Sequence, residues 1–391
     1  MKNIVIIGNG IAGITAARHI RKFSNNHIQV ISAENEYFFS RTALMYVYMG
    51  HMNWKHLLPY ENDFWQKNDI NLIHDYVTHV NPDEKKVVLK ENNPIEYDDL
   101  IIATGSKPNK FGWPGQDLKG VRGLYSKQDL ETLEHYAPNK KVCQRAVIVG
   151  GGLIGIELAE MLRSRDIPVT MLVREPNFWN NVLPDEEASM LNDHIREHHI
   201  DLRLEKNLDS IIEDENGKVK AVKIKETGEI LDCDYVGLTP GVSPNVAFLK
   251  DSGIEINKGV VVNRYLETNY DHVYAIGDCA QQQKPKGNRP PIEAVWYTGR
   301  MMGEVIAQTI CGNKTAYNPG NWFNSAKFLD IEYQTYGWVF NQPKDGDDDF
   351  FWKHPTENIC IHIHFEKASR KFKGINTFGI RLRHETMDKW L

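Results

Sequence analysis

The stretch Asn3-Ile-Val-Ile-Ile-Gly8-Asn-Gly10-Ile11-Ala12-Gly13 decides the fold. A short apolar run breaks on three glycines, continues with helical periodicity predicted to about Phe23, and is followed by a second strand at Ile28 to Ile31. Strand, glycine turn, helix and strand make a βαβ unit. Each glycine has its own physical task. Gly8 allows a tight turn, Gly10 lets the backbone approach a pyrophosphate, and Gly13 lets the helix pack closely on the strand. The helix, expected from about Ala12, then offers unpaired N–H groups and the positive end of its dipole to the phosphates, with Ile11 and Ala12 at its start. An acid should follow about twenty residues on to meet ribose hydroxyls, and Glu34 stands at the end of the second strand. The pattern identifies a dinucleotide site and leaves the dinucleotide open.

Further along, the unit returns. A strand at Ala146 to Val149 leads into Gly150-Gly-Gly152-Leu153-Ile154-Gly155-Ile-Glu157, a helix predicted to about Arg165, and a strand at Val169 to Val173. Two such sites in one chain imply two dinucleotides. A redox pair that needs both is a flavin held permanently and a nicotinamide that comes and goes. At the end of the strand after the second motif stand Arg174 and Glu175. A carboxylate there suits the ribose 2′-OH of NAD and an arginine the 2′-phosphate of NADP, so NADH and NADPH both stay open.

The remainder of the chain bounds these readings. Its 391 residues predict two or three domains with a sizeable core. With 41% hydrophobic and 25% charged residues it has the composition of a globular enzyme. A formal charge of −6 without a dense Lys/Arg run gives no footprint for nucleic acid. Met1-Lys2-Asn3 runs straight into the first strand with nothing like a signal peptide, so a cytoplasmic location is expected. No apolar run is long enough to cross a bilayer, and no membrane partner is expected. The five cysteines, Cys143, Cys233, Cys279, Cys311 and Cys360, show neither Cys-x-x-Cys nor metal-ligand spacing and read as free thiols. Ile359-Cys-Ile-His-Ile-His364 alternates as a half-exposed strand does, and no metal site is expected there for want of a third ligand. Beyond Pro319, aromatic-rich strand segments at Tyr333 to Phe340 and Ile359 to Phe365 flank the acidic turn Asp345 to Asp349, which reads as a small α+β domain.

Taken with two further stretches, these motifs resemble the two-dinucleotide-binding-domain flavoproteins of the pyridine nucleotide–disulfide oxidoreductase superfamily. Ala103-Thr104-Gly105 is similar to the segment where such chains leave the flavin domain, and Tyr274-Ala-Ile-Gly277-Asp278 to their second FAD motif. The resemblance covers about the first 315 residues. It implies an α/β fold with two Rossmann-like dinucleotide-binding domains, the second inserted in the first, plus the small α+β C-terminal domain. The expected divisions are 1–110 and 241–317 for FAD, 111–240 for NAD(P), and 318–391 for an interface-like domain through which a homodimer is one expectation. Gly241, at the Pro240-to-Pro244 break, and Trp296, which follows the Gly-Asp motif, join the implied cofactor-binding set. Glu157 is implied near the nicotinamide, beside the plainer reading of an acid favoured by the helix dipole.

Members of the superfamily that reduce disulfides carry cysteines near the first acidic strand end. Here the corresponding stretch, Tyr37-Phe-Phe-Ser40-Arg41-Thr-Ala-Leu-Met-Tyr46, has none, which excludes a dithiol relay. Ser40-Arg41 is instead similar to the arginine-bearing segment of the ferredoxin, rubredoxin and nitrite reductase flavoprotein branch, although Arg-Pro and a following lysine are replaced by Arg41-Thr42 and Tyr46. Arg41 then offsets negative charge on the flavin or its phosphates. The expected function is an FAD-dependent NAD(P)H oxidoreductase passing electrons to an iron–sulfur or iron protein or a small molecule. Two alternatives stand beside it. One is a peripheral membrane NADH:quinone reductase, against which the charge-studded tail Gly374 to Leu391 counts. The other is a redox-gated interaction flavoprotein resembling apoptosis-inducing factor.

Overall fold

The computed structural model describes residues 1–342 and 344–391, which fall into two compact units. The first comprises residues 1–44, 52–107 and 242–319; the second comprises 45–51, 108–241 and 320–391.

The first unit is built on a parallel sheet whose order is Val273–Ala275, Asp99–Ile102, Asn3–Ile7, His27–Ser32, Ile70–His74. Ile4, Val5 and Ile6, and Leu100, Ile101 and Ile102, have no exposed surface, as expected of strands covered on both faces. The helix Ile11–Phe23 lays Ile14, Ala16, Ala17 and Ile20 into this core and ends at Ser24, whose backbone N–H bonds the Ile20 carbonyl. Against it packs the helix Trp296–Ile310. A Cβ at Gly303 would lie 2.6 Å from the Ala12 carbonyl oxygen, so these helices meet backbone to backbone.

In the second unit the parallel order is Ile200–Arg203, Val169–Leu172, Ala146–Val149, Tyr235–Leu238, Val121–Arg122. The same unit holds an antiparallel sheet in the order Phe323–Phe328, Ile331–Gly337, Phe372–Phe378, Cys360–Glu366, Asp347–Lys353, followed by a short helix His384–Trp390. The expected α/β architecture with a small α+β C-terminal part is what the chain adopts. Strand and helix limits read from the motifs agree with the structure to within a residue or two. In the C-terminal part, the strand expected from Tyr333 ends at Gly337, short of Phe340.

The alternation expected at Ile359 to His364 is that of the strand Cys360–Glu366, whose buried and partly exposed residues alternate. His362 and His364 face inward, 2% exposed each, while Ile361 and Ile363 lie on the half-buried face. Each of the two buried rings has one hydrogen-bonded nitrogen, while His362 Nδ1 and His364 Nε2 lie near carboxylates without the alignment of a hydrogen bond. His362 Nδ1 lies 3.1 Å from buried Glu187, on the helix Asp185–Glu197, and its Nε2 lies 2.9 Å from Asp349. Asn376 Nδ2 donates to both Glu187 oxygens at 3.1 and 3.0 Å. His364 Nδ1 meets the Trp338 carbonyl at 2.8 Å, and its Nε2 lies 3.4 Å from Asp347. The histidines thus occupy the covered face of this strand and the isoleucines its partly exposed one.

Candidate functional site

In open parallel sheets, ligands sit beyond the carboxyl ends of the strands at the point where strand order reverses. In the first unit that point lies between Asn3–Ile7 and Asp99–Ile102, since the chain runs outward to His27–Ser32 and Ile70–His74 before returning to the other side. The residues at these carboxyl ends are Gly8 and Ala103, which lie against each other, while the Ile276 N–H, just before Gly277, bonds the Ile102 carbonyl at 2.9 Å.

Three glycines there behave differently. Gly8 has φ +112°, and a Cβ on it would overlap the Ala103 carbonyl. A Cβ on Gly13 would overlap the Gly8 carbonyl, whereas one on Gly10 meets nothing within 4 Å. Gly8 and Gly13 are thus packed solid while Gly10, with Ile11 and Ala12 behind it, faces open space. The helix that follows has no side-chain cap and no acid in its first turn among the described residues. Its first N–H groups and positive dipole end are left for an anion.

Around this cradle stand the polar groups. Glu34 lies two residues beyond its strand and pairs with Arg41, Nη1 to Oε1 at 3.0 Å and Nη2 to Oε2 at 2.5 Å. Asn9, 8% exposed, donates its amide to the Asn35 and Glu36 carbonyls at 2.8 and 3.2 Å, tying the glycine loop to the acidic strand end. Thr104 donates its hydroxyl to the Asn245 carbonyl at 2.8 Å, and Gly105 accepts from the Asn245 N–H at 2.9 Å. Gly277 takes φ +72° beside Ala12, turning Asp278 toward Ser106, whose hydroxyl donates at 3.1 Å. Burial raises the Asp278 carboxyl, opposed by that hydrogen bond and by the Arg41 charge. Trp296 opens the helix Trp296–Ile310 and is 39% exposed. Cys279, next to Asp278, is buried with its thiol donating to Ile102 and Ile276 carbonyls, and burial raises its pKa. It is a packing thiol, not a nucleophile.

The second unit repeats the arrangement. Its strand order reverses between Ala146–Val149 and Tyr235–Leu238. Gly150, at φ +130°, abuts Thr239; a Cβ on Gly155 would lie 2.5 Å from the Gly150 carbonyl oxygen; and Gly152 again meets nothing within 4 Å. The helix Leu153–Ser164 likewise lacks a side-chain cap and a first-turn acid among the described residues. Arg174 Nε donates to Glu175 Oε1 at 2.7 Å, so these two neighbouring residues pair with each other. Glu157 lies just past the first helical turn, its carboxyl pushed up to about 7 by burial and then by Glu160. Gly241 takes φ +103° and its carbonyl accepts from Asn109 N–H at 3.0 Å. Ser106, Asn9 and Thr239 were not singled out in the sequence. Asn9 sits within the glycine motif itself and carried a signal; Ser106 and Thr239 are joined to their sites only by folding.

The comparisons agree with this geometry. A family model described as pyridine nucleotide-disulphide oxidoreductase matches residues 2–303. The chain is 29% identical, over 80% of its length, to a nitrite reductase [NAD(P)H] of Bacillus subtilis, of which it spans 38%. It is 26% identical to a rubredoxin-NAD(+) reductase of Pseudomonas putida, with 84% of this chain and 85% of that one covered. Among solved structures, a ferredoxin reductase from Rhodopseudomonas palustris shares the fold with a TM-score of 0.87 at 23% identity, covering 96% of this chain and 91% of that one. No helix among the described residues is long and apolar enough to cross a membrane.

Proposed function

Because the chain belongs to the pyridine nucleotide-disulphide oxidoreductase family, whose FAD- and NAD(P)H-dependent members are oxidoreductases, we propose that it moves electrons from NAD(P)H through FAD to an external acceptor. The acceptor is an iron–sulfur or iron protein or a small molecule; similar chains include a rubredoxin-NAD(+) reductase and a ferredoxin reductase. The observation that carries this reading is the duplicated cradle: Gly10 and Gly152, each open to solvent at an uncapped helix N-terminus.

In the first unit, Gly8, Gly10, Ile11, Ala12 and Gly13 hold the FAD pyrophosphate. Glu34 binds ribose, and Ala103, Thr104, Gly105, Gly277 and Asp278 line the carboxyl strand ends. Arg41 orients Glu34 and offsets negative charge, while Trp296 completes the set in this unit; Gly241, at the chain's return from the second unit, is proposed as a further cofactor-binding residue. In the second unit Gly150, Gly152, Leu153, Ile154 and Gly155 hold the nicotinamide dinucleotide, with Arg174 and Glu175 at its ribose. When bound, the two cofactors supply the hydride-transfer and one-electron chemistry. The protein's contribution is alignment and exclusion of water. Glu157, poised near neutrality, holds or releases a proton beside that site. The buried cysteines carry no electrons, which sends them outward to a partner. Their unpaired state fits a reducing, cytoplasmic setting.

The proposed functional parts are 1–110 and 241–317 for FAD, 111–240 for NAD(P) and 318–391 as an interface-like part able to join two copies. Anaerobic titration of the yellow holoprotein with NADH and then NADPH tests the reading through the flavin's visible absorbance. Rapid bleaching by one nucleotide is expected, and a yellow protein bleached by neither removes the proposal.

A further inference from the structure

Away from both cradles, at the end of the helix Asp185–Glu197, two histidines and an aspartate converge. His194 and His198 stand four residues apart on the same helical face, with ring centroids 4.3 Å apart. Asp330 reaches them from the turn between Phe323–Phe328 and Ile331–Gly337, where Leu329 takes φ +58° to close a tight reversal. His194 Nε2 lies 2.8 Å and His198 Nε2 lies 3.4 Å from Asp330 Oδ1. One ligand atom from each residue lies within 4.8 Å of the other two. Ligands bound tetrahedrally at zinc distances are about 3.3 Å apart. These spacings are those of a metal-binding set before the ion pulls it together.

Two observations separate this cluster from an ordinary surface ion pair. His194 is 3% exposed, and its Nε2 is buried without a hydrogen-bond partner among the described residues, Asp330 being close but off the line such a bond needs. A buried ring nitrogen without a partner is costly, and a ligand aimed at it would satisfy it. His198 is already set as a ligand. Its Nδ1 meets the His194 carbonyl at 3.0 Å, which places the ring proton on Nδ1 and leaves the Nε2 lone pair toward Asp330. The carbonyl ends of the helix add a negative field favourable to a cation.

We propose that His194, His198 and Asp330 bind a divalent transition metal, zinc by preference, which clips the end of this helix to the Phe328-to-Ile331 turn. Two imidazole nitrogens and one carboxylate oxygen suit zinc, and water completes the fourth position. Asp330 is 73% exposed, so the ion enters and leaves from solvent. On binding, His194 moves its ring proton from Nε2 to Nδ1. Asn358, whose amide nitrogen now lies 3.1 Å from Nδ1, turns its oxygen there to accept it, while Glu197 stands 3.7 Å away as a second acceptor. Asn358 is then a positioning residue for the site.

The test is calorimetric titration of Zn²⁺ into chelator-treated holoprotein, with the unfolding temperature followed in parallel. One equivalent binding in the micromolar range or tighter, with a raised unfolding temperature, is the expected result. Because His194→Ala opens a hole in the core, the decisive variants are the half-buried His198→Gln and the exposed Asp330→Asn, each expected to weaken binding by at least roughly tenfold. Asn358→Ala should weaken it less, and the exposed His135→Ala should leave it unchanged. Absence of saturable binding, or binding retained by both His198→Gln and Asp330→Asn, overturns the proposal.

Discussion

Glycines with the same spacing do different work, and substitution separates the roles. Gly10→Val adds side chain where nothing lies within 4 Å and leaves the backbone in the extended region it already occupies. The flavin-free protein should stay within about 1 kcal/mol of wild type. FAD affinity should fall at least about tenfold, equivalent to about 1.4 kcal/mol, as read from flavin content and fluorescence titration. Gly13→Ala, whose Cβ overlaps the Gly8 carbonyl, should instead cost about 1–3 kcal/mol even without flavin. Glu157 offers a second test at this scale. Its folded pKa is raised from 4.5 to about 7, so the native state binds more protons than the unfolded chain across that window. Stability therefore declines as pH rises through it. Glu157→Gln should raise the unfolding temperature at about pH 8 and change it little at about pH 5; equal effects at both would rule out the shift.

At the scale of elements, the helix Asp185–Glu197 is held to the C-terminal sheet by a buried polar chain of Glu187, His362 and Asn376, with Asp349 meeting His362 from the exposed side. Burial, the largest single effect, lowers His362, but pairing with Glu187 and then Asp349 together outweighs it and raises the ring above its ordinary 6.5, while burial raises Glu187. A raised histidine stabilises the fold fully below 6.5 and loses that contribution as pH rises through its folded value. Glu187, also raised, acts in the same direction. The second unit should melt at progressively lower temperature above that pH. His362→Gln should flatten the dependence and cost about 3–5 kcal/mol at about pH 6, because it leaves Glu187 buried without its charge partner. A melting temperature independent of pH in the wild type would contradict this account.

For the whole molecule, the division into two compact units, each with its own dinucleotide cradle, predicts separable stabilisation. Calorimetry of flavin-stripped protein should show two transitions, since multidomain chains depart from two-state unfolding. FAD should raise one and NADH or NADPH the other, by about 2.7 kcal/mol at a hundredfold excess over Kd. One transition raised by either ligand alone would refute the assignment of one cradle to each unit.

How much of this was legible beforehand depended on how local each feature is. Strand, glycine turn and helix are specified by neighbours within about twenty residues, where positive φ at Gly8 and Gly150 and β-branched runs leave few alternatives. Both cradles, both βαβ units and the absence of a thiol pair were therefore determined by the sequence alone. The Ser106–Asp278 hydrogen bond and the inward turn of His362 were not. Their partners lie far apart in the chain or depend on which face of a strand is covered, and periodicity alone says that faces alternate, not which one is buried. The meeting of His194 and His198 with Asp330, 132 positions beyond His198 (330 − 198), is of the same kind. Only the packing of the helix Asp185–Glu197 on the C-terminal sheet brings those ligands to one point, because a metal-ligand spacing can be read from sequence only when the ligands share a local element.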